Sequence, residues 1–245
     1  MFSTADYDKL QQIMAESPEK KELLTRLLET HQMSLSAISH EIRNPLTLVY
    51  STLQFIESQH PEVLEYKHWS SLRGDIEYMK LLLEELSSYN NGEKLTLSPI
   101  DANTFFKTLA LSFASSIVDT KLQFTSRIQP QLPPLMADVV KLRQLLLNLL
   151  TNAKDAVDCK SPLSTVSLEV YTEANMLLVT ITDNGCGISP EKLPHIFEPF
   201  ITYKKQGTGL GLAIANRIAR AHDGTLNAAS TPGTSTVFTL TLPIQ

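Results

Sequence analysis

Two cysteines in 245 residues, Cys159 and Cys186, leave no disulfide framework and no metal-ligand spacing to read. The expected setting is therefore a reducing one, the cytoplasm. Long apolar runs are missing too. A stretch such as "LLLNLL" at 145–150 is a fraction of the roughly 20 residues that a bilayer-spanning helix needs. The N-terminal "MFSTADYDKLQQ" has no basic stretch leading into an apolar one, so no secretory leader and no direct membrane insertion are expected. Basic charge is not in surplus: 21 Lys and Arg against 26 Asp and Glu give a net charge of −5, which argues against a broad nucleic-acid surface. Walker A is absent, and so is a Gly-x-Gly-x-x-Gly following a strand, so P-loop and dinucleotide-fold readings fall away. No internal repeat or low-complexity tract is present. What remains is globular composition, 42% hydrophobic and 19% charged, enough for one large domain or two modest ones.

Residues 19–58 carry a helical pattern. Leu24, Leu28, Leu35, Ile38, Ile42, Val49, Leu53 and Ile56 are separated by multiples of three and four, which predicts one narrow apolar stripe that His31 and Pro45 interrupt without losing register. "QHPE" at 59–62 breaks the helix, and Pro61 suits the first turn of the next. A second stripe runs through Val63, Tyr66, Trp69, Leu72, Ile76, Met79, Leu83 and Leu86 and stops at "NNG", 90–92. The two stripes predict an antiparallel helical hairpin. A lone hairpin buries its stripes poorly, so pairing with a second copy into a dimeric four-helix bundle is expected.

Past "LTLSPID" at 95–101 the pattern changes. A helix near 102–117 precedes a strand, "KLQFTSRI", and "LPPL" at 132–135 reads as a turn. A strong helix follows at 138–157, then strands at 165–172 and 176–182, a helix at 210–222, and a closing hairpin around "TPGTS". Strands and helices without regular alternation predict an α+β sandwich.

His40 lies two residues from both Ile38 and Ile42, about 200° around the helix from the stripe, so it should face solvent. An exposed imidazole is nucleophilic near neutral pH, and Glu41 beside it is placed to take a ring proton. By itself His40 reads better as an exposed helical histidine among charged neighbours, with Pro45 the less ordinary feature. Asn148 and Asn152 share a helix face at i and i+4, where amide oxygens can reach a hard cation; the alternative is local hydrogen bonding, but two aligned amides on an otherwise apolar helix are costly to bury unsatisfied, which favours a site. "DNGCGI" at 183–188 follows a strand. Its Gly185 and Gly187 allow close approach, and Asp183 offers an acceptor for an exocyclic amine, or the whole is a turn capped by Asp. "IFEPF" at 196–200 reads as packing. "GTGLGL" (Gly207, Thr208, Gly209, Leu210, Gly211, Leu212) opens a helix whose N-terminal N–H groups favour phosphate. Before it, Lys204 and Lys205 are either lid residues that meet phosphate charge or solvated lysines.

Together these segments resemble the sensor histidine kinases of two-component systems. "SHEIRNPLT" at 39–47 resembles the H-box, "LRQLLLNLLTNAKDAV" the N-box, "DNGCGI" the G1 box, "IFEPF" the F-box and "GTGLGL" the G2 box, in family order over about residues 30–245. The short "ITYKKQ" lid is similar to that of nitrogen-regulation and sporulation kinases. The resemblance implies a signal-input segment at 1–30, a dimerisation and histidine phosphotransfer hairpin at 31–96, and a Bergerat-type, GHKL-class ATP-binding domain at 97–245. It implies ATP and Mg²⁺ as cofactors, a homodimer, and a response regulator receiver domain as partner, with possible phosphatase action on that regulator. Carried over by position, it implies His40 as phosphoacceptor, Glu41 as its base, Arg43 on the transferring phosphoryl group, and Asn44 positioning water in the reverse reaction. Asn152 would ligate Mg²⁺ and Asn148 would lie near the phosphates. Asp183 would bind the adenine amine, with Gly185, Gly187, Lys204, Gly207, Thr208, Gly209, Leu210 and Gly211 shaping the pocket and lid. A hinge is expected near "NNGEKLTLSPID" at 90–101. Two competing classes are a chaperone or DNA-repair ATPase of the same nucleotide fold and a non-catalytic dimeric scaffold.

Overall fold

The computed structural model describes Lys9, Ile13 and residues 17–90, 95–157, 164–204 and 207–244, without the side chains of residues 28, 29, 31, 32 and 34–36. Residues 91–94 of the expected hinge, and Lys205, therefore lie outside the described residues, as do the side chains of Leu28, His31 and Leu35. The chain divides into two compact units, Met1–Asn91 and Gly92–Gln245.

The first unit is a helical hairpin. Helix α1 (Pro18–Gln59) starts on a proline at its first turn, where a missing N–H loses no bond, and continues through Pro45. A 3-10 turn, Pro61–Glu65, buries Val63, and helix α2 (Trp69–Asn90) returns. The second helix therefore begins at Trp69 rather than at Pro61. Tyr66 is extended (φ −70°, ψ 131°), which stops the 3-10 turn before the chain can reverse into α2. Trp69 Nε1 donates to Glu57 Oε1 at 2.8 Å, and Arg73 reaches the same carboxylate at 3.3 Å, fastening the start of α2 to the end of α1.

The seam between these helices differs from the single stripe expected. Ser39 and Leu53 are buried, and Arg43, Leu46, Tyr50 and Glu57 are half-buried; these positions step by four and three along one face. Arg43 donates to the Leu83 carbonyl at 3.3 Å, and the Lys80 ammonium sits over the Tyr50 ring at 5.2 Å. Ile38, Ile42 and Val49 lie one residue round the helix and stay about half exposed, as do Leu72 and Met79 on α2. A heptad-like pattern cannot distinguish two adjacent stripes, because a one-residue offset rotates the face by only about 100°.

Gly74 lies inside α2 with nothing within 4 Å of where a Cβ would stand. Gly74→Ala removes unfolded-chain entropy without a clash, so it should stabilise the hairpin by about 0.5–1 kcal/mol. A urea midpoint followed by helical circular dichroism that stayed still or fell would refute this.

The second unit layers three helices on one mixed sheet. Strand β1 (Ser98–Ile100) leads into α3 (Ala102–Ser116), β2 (Gln123–Ile128), β3 (Leu135–Ala137) and α4 (Val139–Val157). Then come β4 (Thr165–Glu173), β5 (Met176–Asp183), a 3-10 turn at Leu193–His195, α5 (Gly211–Ala221), β6 (Thr225–Thr231) and β7 (Ser235–Pro243). The main sheet has the order β2-β4-β5-β7-β6, with only β2 and β4 parallel. Strict alternation along β4, β5 and β7 turns Val166, Leu168, Val170, Leu177, Val179, Ile181, Phe238, Leu240 and Leu242 onto one buried face. The apolar sides of α3, α4 and α5 cover that face through residues such as Phe106, Leu109, Leu146, Leu149, Leu150, Ile214 and Ile218, each nearly inaccessible. The small β1–β3 ladder was not expected. Its three-residue strands are too short for a period to show, and Pro99, Pro133 and Pro134 read as turn residues.

Asp138 fastens the start of this unit. It caps α4 by accepting from the Val140 and Lys141 N–H groups at 3.1 Å each, and its other oxygen accepts from Thr96 N–H at 2.9 Å. Its own N–H donates to Nε2 of the buried His222, whose ring is held on the other side by the Ile218 carbonyl. Burial pushes the Asp138 carboxyl up, but the Thr96, Lys141 and Val140 N–H bonds outweigh it and hold the group below its ordinary 3.8. A depressed carboxylate contributes stability above its unfolded pKa and loses it as pH falls through the folded value. Asp138→Ala should cost about 1 kcal/mol at pH 7, and the gap from the parent should close as pH falls below the ordinary carboxylate value. Denaturation curves separated equally at pH 7 and in acid would contradict the linkage.

Candidate functional site

In the hairpin, His40, Glu41 and Asn44 are exposed on α1 while Arg43 is half-buried. Arg43 lies one turn from His40 and its Nη1 approaches the imidazole Nδ1 at 3.4 Å, while Nη2 holds the Leu83 carbonyl. A guanidinium only donates, so Nδ1 is the accepting nitrogen in this contact. Buried Ser39 explains the orientation: the residue before His40 points into the hairpin seam, so His40 itself points outward.

In the second unit the N-box residues lie on α4. Asn148 Nδ2 donates to the Gly211 carbonyl at 2.9 Å, tying α4 to the first residue of α5. One turn on, Asn152 Oδ1 accepts from the Lys204 ammonium at 2.7 Å, and Lys204 also meets Asp155 Oδ2 at 2.7 Å. The sequence reading missed Asp155. The signal was there in its step of three from Asn152, which keeps it on the same face.

Asp183, the last residue of β5, is 1% exposed, and its Oδ1 accepts from the Gly185 N–H at 2.8 Å. The loop that follows is stitched on both sides. Cys186 N–H donates to the Ala156 carbonyl near the end of α4, Gly233 N–H donates to the Cys186 carbonyl at 2.7 Å, and Ile188 N–H to Ser230 Oγ at 2.8 Å. Gly187 has φ +66°, and a Cβ there would stand 2.3 Å from the Thr231 carbonyl oxygen. That close approach requires glycine.

The Gly-rich segment closes a loop whose base is the Phe200 N–H bond to the Gly209 carbonyl, 2.9 Å, with both residues at positive φ. A Cβ on Gly209 would meet the Phe200 carbonyl carbon at 2.5 Å. Thr208 Oγ1 accepts from the buried Leu210's N–H at 3.2 Å, and Gly211 opens α5, whose first-turn N–H groups have no acceptor within the helix. Gly207 N–H reaches the Lys204 carbonyl at 3.4 Å, and the Lys192 ammonium lies 4.3 Å from the Tyr203 ring centre. Phe197 of the aromatic–proline segment packs edge-on against Phe238 of β7. The sites named from sequence thus form two groups, one on α1 and one where α4, the Asp183 loop, the Lys204 segment and the start of α5 meet. The second offers a buried carboxylate, a row of amide oxygens and a helix N-terminus, a donor set suited to an adenine amine, a hard cation and phosphate. Among the described residues no cluster of three or more His, Cys, Asp or Glu could hold a metal, and no helix is long and apolar enough to cross a membrane.

Residues 137–245 match the model of the histidine kinase-, DNA gyrase B-, and HSP90-like ATPases. Over 238 residues the chain is 29% identical to the signal transduction histidine-protein kinase AtoS of Escherichia coli (strain K12), covering 95% of this chain and 39% of AtoS. It is 31% identical over 213 residues to the sensor histidine kinase ZraS of Salmonella typhimurium, covering 85% of this chain and 45% of ZraS. With sporulation kinase C of Bacillus subtilis (strain 168) the identity is 28% over 246 residues, covering 95% and 56%. The chain therefore spans about half of these relatives or less. Among solved structures, full-length ShkA in complex with AMPPNP superposes with a TM-score of 0.73 at 24% identity, covering 86% of this chain and 45% of ShkA. The Acinetobacter baumannii histidine kinase AdeS gives 0.59 at 23%, covering 84% and 98%. At these identities the two structures establish a shared fold, and with the ATPase model over residues 137–245 the mixed α/β sheet is consistent with the Bergerat type.

Proposed function

From the premise that residues 137–245 are a catalytic domain of the histidine kinase-, DNA gyrase B-, and HSP90-like ATPases, closely related to sensor histidine kinases, we propose that the chain moves the γ-phosphoryl group of ATP onto its own His40. The phosphohistidine then supplies an aspartate on a response regulator. The observation that carries this reading is that a chain with this ATPase domain also presents an exposed imidazole on a helical hairpin, with a guanidinium at 3.4 Å. In the transfer, a bond forms between an imidazole nitrogen and the γ-phosphorus, the bond to the β,γ-bridging oxygen breaks, ADP leaves, and Glu41 takes the ring proton. Arg43 meets the charge of the moving group. In a separate phosphatase reaction Asn44 orients a water that attacks the regulator's phosphoaspartate, breaking its acyl-phosphate bond and releasing inorganic phosphate and the free aspartate.

Asp183 binds the adenine amine, Asn148 holds the start of α5 against the phosphates, and the loop glycines let the backbone approach the nucleotide. Mg²⁺ bound with ATP neutralises phosphate charge, and Asn152 is the residue to hold it, because its amide oxygen already accepts from a cation. Residues 1–30 serve as input segment, 31–96 as dimerisation and phosphotransfer hairpin, and 97–245 as ATP-binding domain. The uncovered row of Ile38, Ile42 and Val49, with Leu72 and Met79, supports pairing of two hairpins into a four-helix bundle, which would remove that apolar surface from water.

The test is incubation of the chain with radiolabelled ATP and Mg²⁺. Label that stays on the protein, survives alkali and is lost in acid identifies phosphohistidine. ATP turnover without retained label would point instead to a chaperone-like or repair-type ATPase, and binding without turnover to a scaffold.

A further inference from the structure

Asp155 has no part in the function proposed above. It nonetheless completes a row on α4, Asn148, Asn152 and Asp155, in which the last two share one cation. Lys204 Nζ stands 2.7 Å from an amide oxygen and 2.7 Å from a carboxylate oxygen, both charge-assisted distances. The residues before it help aim that lysine. Its N–H donates to Thr202 Oγ1, and the preceding Tyr203 ring lies under the Lys192 ammonium. The loop that carries it is closed at the base by the Phe200–Gly209 bond.

Mg²⁺ usually takes one or two carboxylates from protein while phosphates and water supply the rest, and an amide oxygen is a further hard oxygen ligand within reach. An ammonium and a divalent cation cannot occupy the same two oxygens together, because they repel. We propose that Asn152 and Asp155 form a single cation seat for which the Lys204 ammonium and a divalent cation compete. Metal entering the seat displaces Lys204, which loosens residues 200–204 and turns that ammonium toward phosphate. The proposal rests on the reading that Asn152 faces the metal of the nucleotide. Asp155 supplies the carboxylate oxygen of that seat. Both partners of the Lys204–Asp155 pair are 42% exposed, so the contact is weak enough to exchange; a buried pair would keep the metal out.

The test uses the full chain and Mn²⁺ alone, with free Mn²⁺ read by electron paramagnetic resonance. Lys204→Met should lower the half-saturating Mn²⁺ concentration about fivefold, the factor that a partly exposed ion pair supports. Asp155→Asn should raise it, and in the double variant the gain from Lys204→Met should vanish. Hydrogen exchange at amides 200–204 should speed up when Mn²⁺ is added to the parent, and should already be fast in Lys204→Met. The competition is overturned if Lys204→Met binds Mn²⁺ no better than the parent, or if its gain persists beside Asp155→Asn. The same preparations are given radiolabelled ATP. A parent that retains no label but shows the Mn²⁺ pattern keeps the seat and loses the kinase reading, while label without the pattern loses only the seat.

Discussion

His40→Gln should reduce acid-labile label from ATP to background, a fall of at least about a hundredfold, because a carboxamide nitrogen has no lone pair available to attack phosphorus. The change is mild for the fold. His40 is exposed, glutamine is a good helix former, and its amide oxygen can still accept from Arg43, which in turn keeps its bond to the Leu83 carbonyl. Affinity for an ATP analogue should therefore stay within about twofold of the parent, well under the tenfold that 1.4 kcal/mol would produce. Label that persisted in this variant would move the acceptor to another residue, and a parallel loss of nucleotide binding would mean that the substitution had acted through the fold.

Gly187→Ala should be strongly damaging to the second unit. At φ +66° an L-residue is strained by about 1–2 kcal/mol. The added carbon also lands 2.3 Å from the Thr231 carbonyl oxygen and 2.9 Å from Pro232 Cα, and neither is a flexible side-chain end. The two strands of backbone cannot simply part, since the Gly233–Cys186 and Ile188–Ser230 hydrogen bonds hold the loop against the β6–β7 hairpin. The expected total is about 2–4 kcal/mol, with ATP-analogue affinity falling more than about tenfold. Gly233→Ala is the control. Its φ is +71°, yet nothing lies within 4 Å of the new carbon, so it should cost only the backbone term, about 1 kcal/mol. Chemical denaturation and titration with a fluorescent ATP analogue measure both variants. Equal losses would show that conformation rather than contact sets the cost.

Much of the second unit was legible because its elements are long and strongly patterned. Strand alternation at 165–172 and 176–182, and the apolar side of 138–157, agree with β4, β5 and α4 to within about a residue. His40 is exposed as its spacing predicted, but the buried neighbour that turns it outward is Ser39, not Ile38 or Ile42, which stay about half exposed. The β1–β3 ladder was not legible, because pairing between Ser98 and Ala137 joins residues far apart in the chain and three-residue strands show no period. The start of α2 was misplaced for a related reason: Pro61 begins a 3-10 turn as readily as an α-helix, and the Tyr66 conformation decides which.

By itself, then, the sequence determined the order of the boxes, the exposed imidazole and the class of nucleotide domain, since these depend on residue identity and on fixed helical and strand periods. The tertiary structure decided what distant segments do to one another. Asn148 bonds to Gly211, Gly187 presses on Thr231, Arg43 holds both His40 and Leu83, and Lys204 bridges Asn152 and Asp155. Periodicity fixes which way a side chain faces along its own element. It carries no information about which other element will arrive there, and that is settled only when the helices pack on the sheet and bring the loops at its end together.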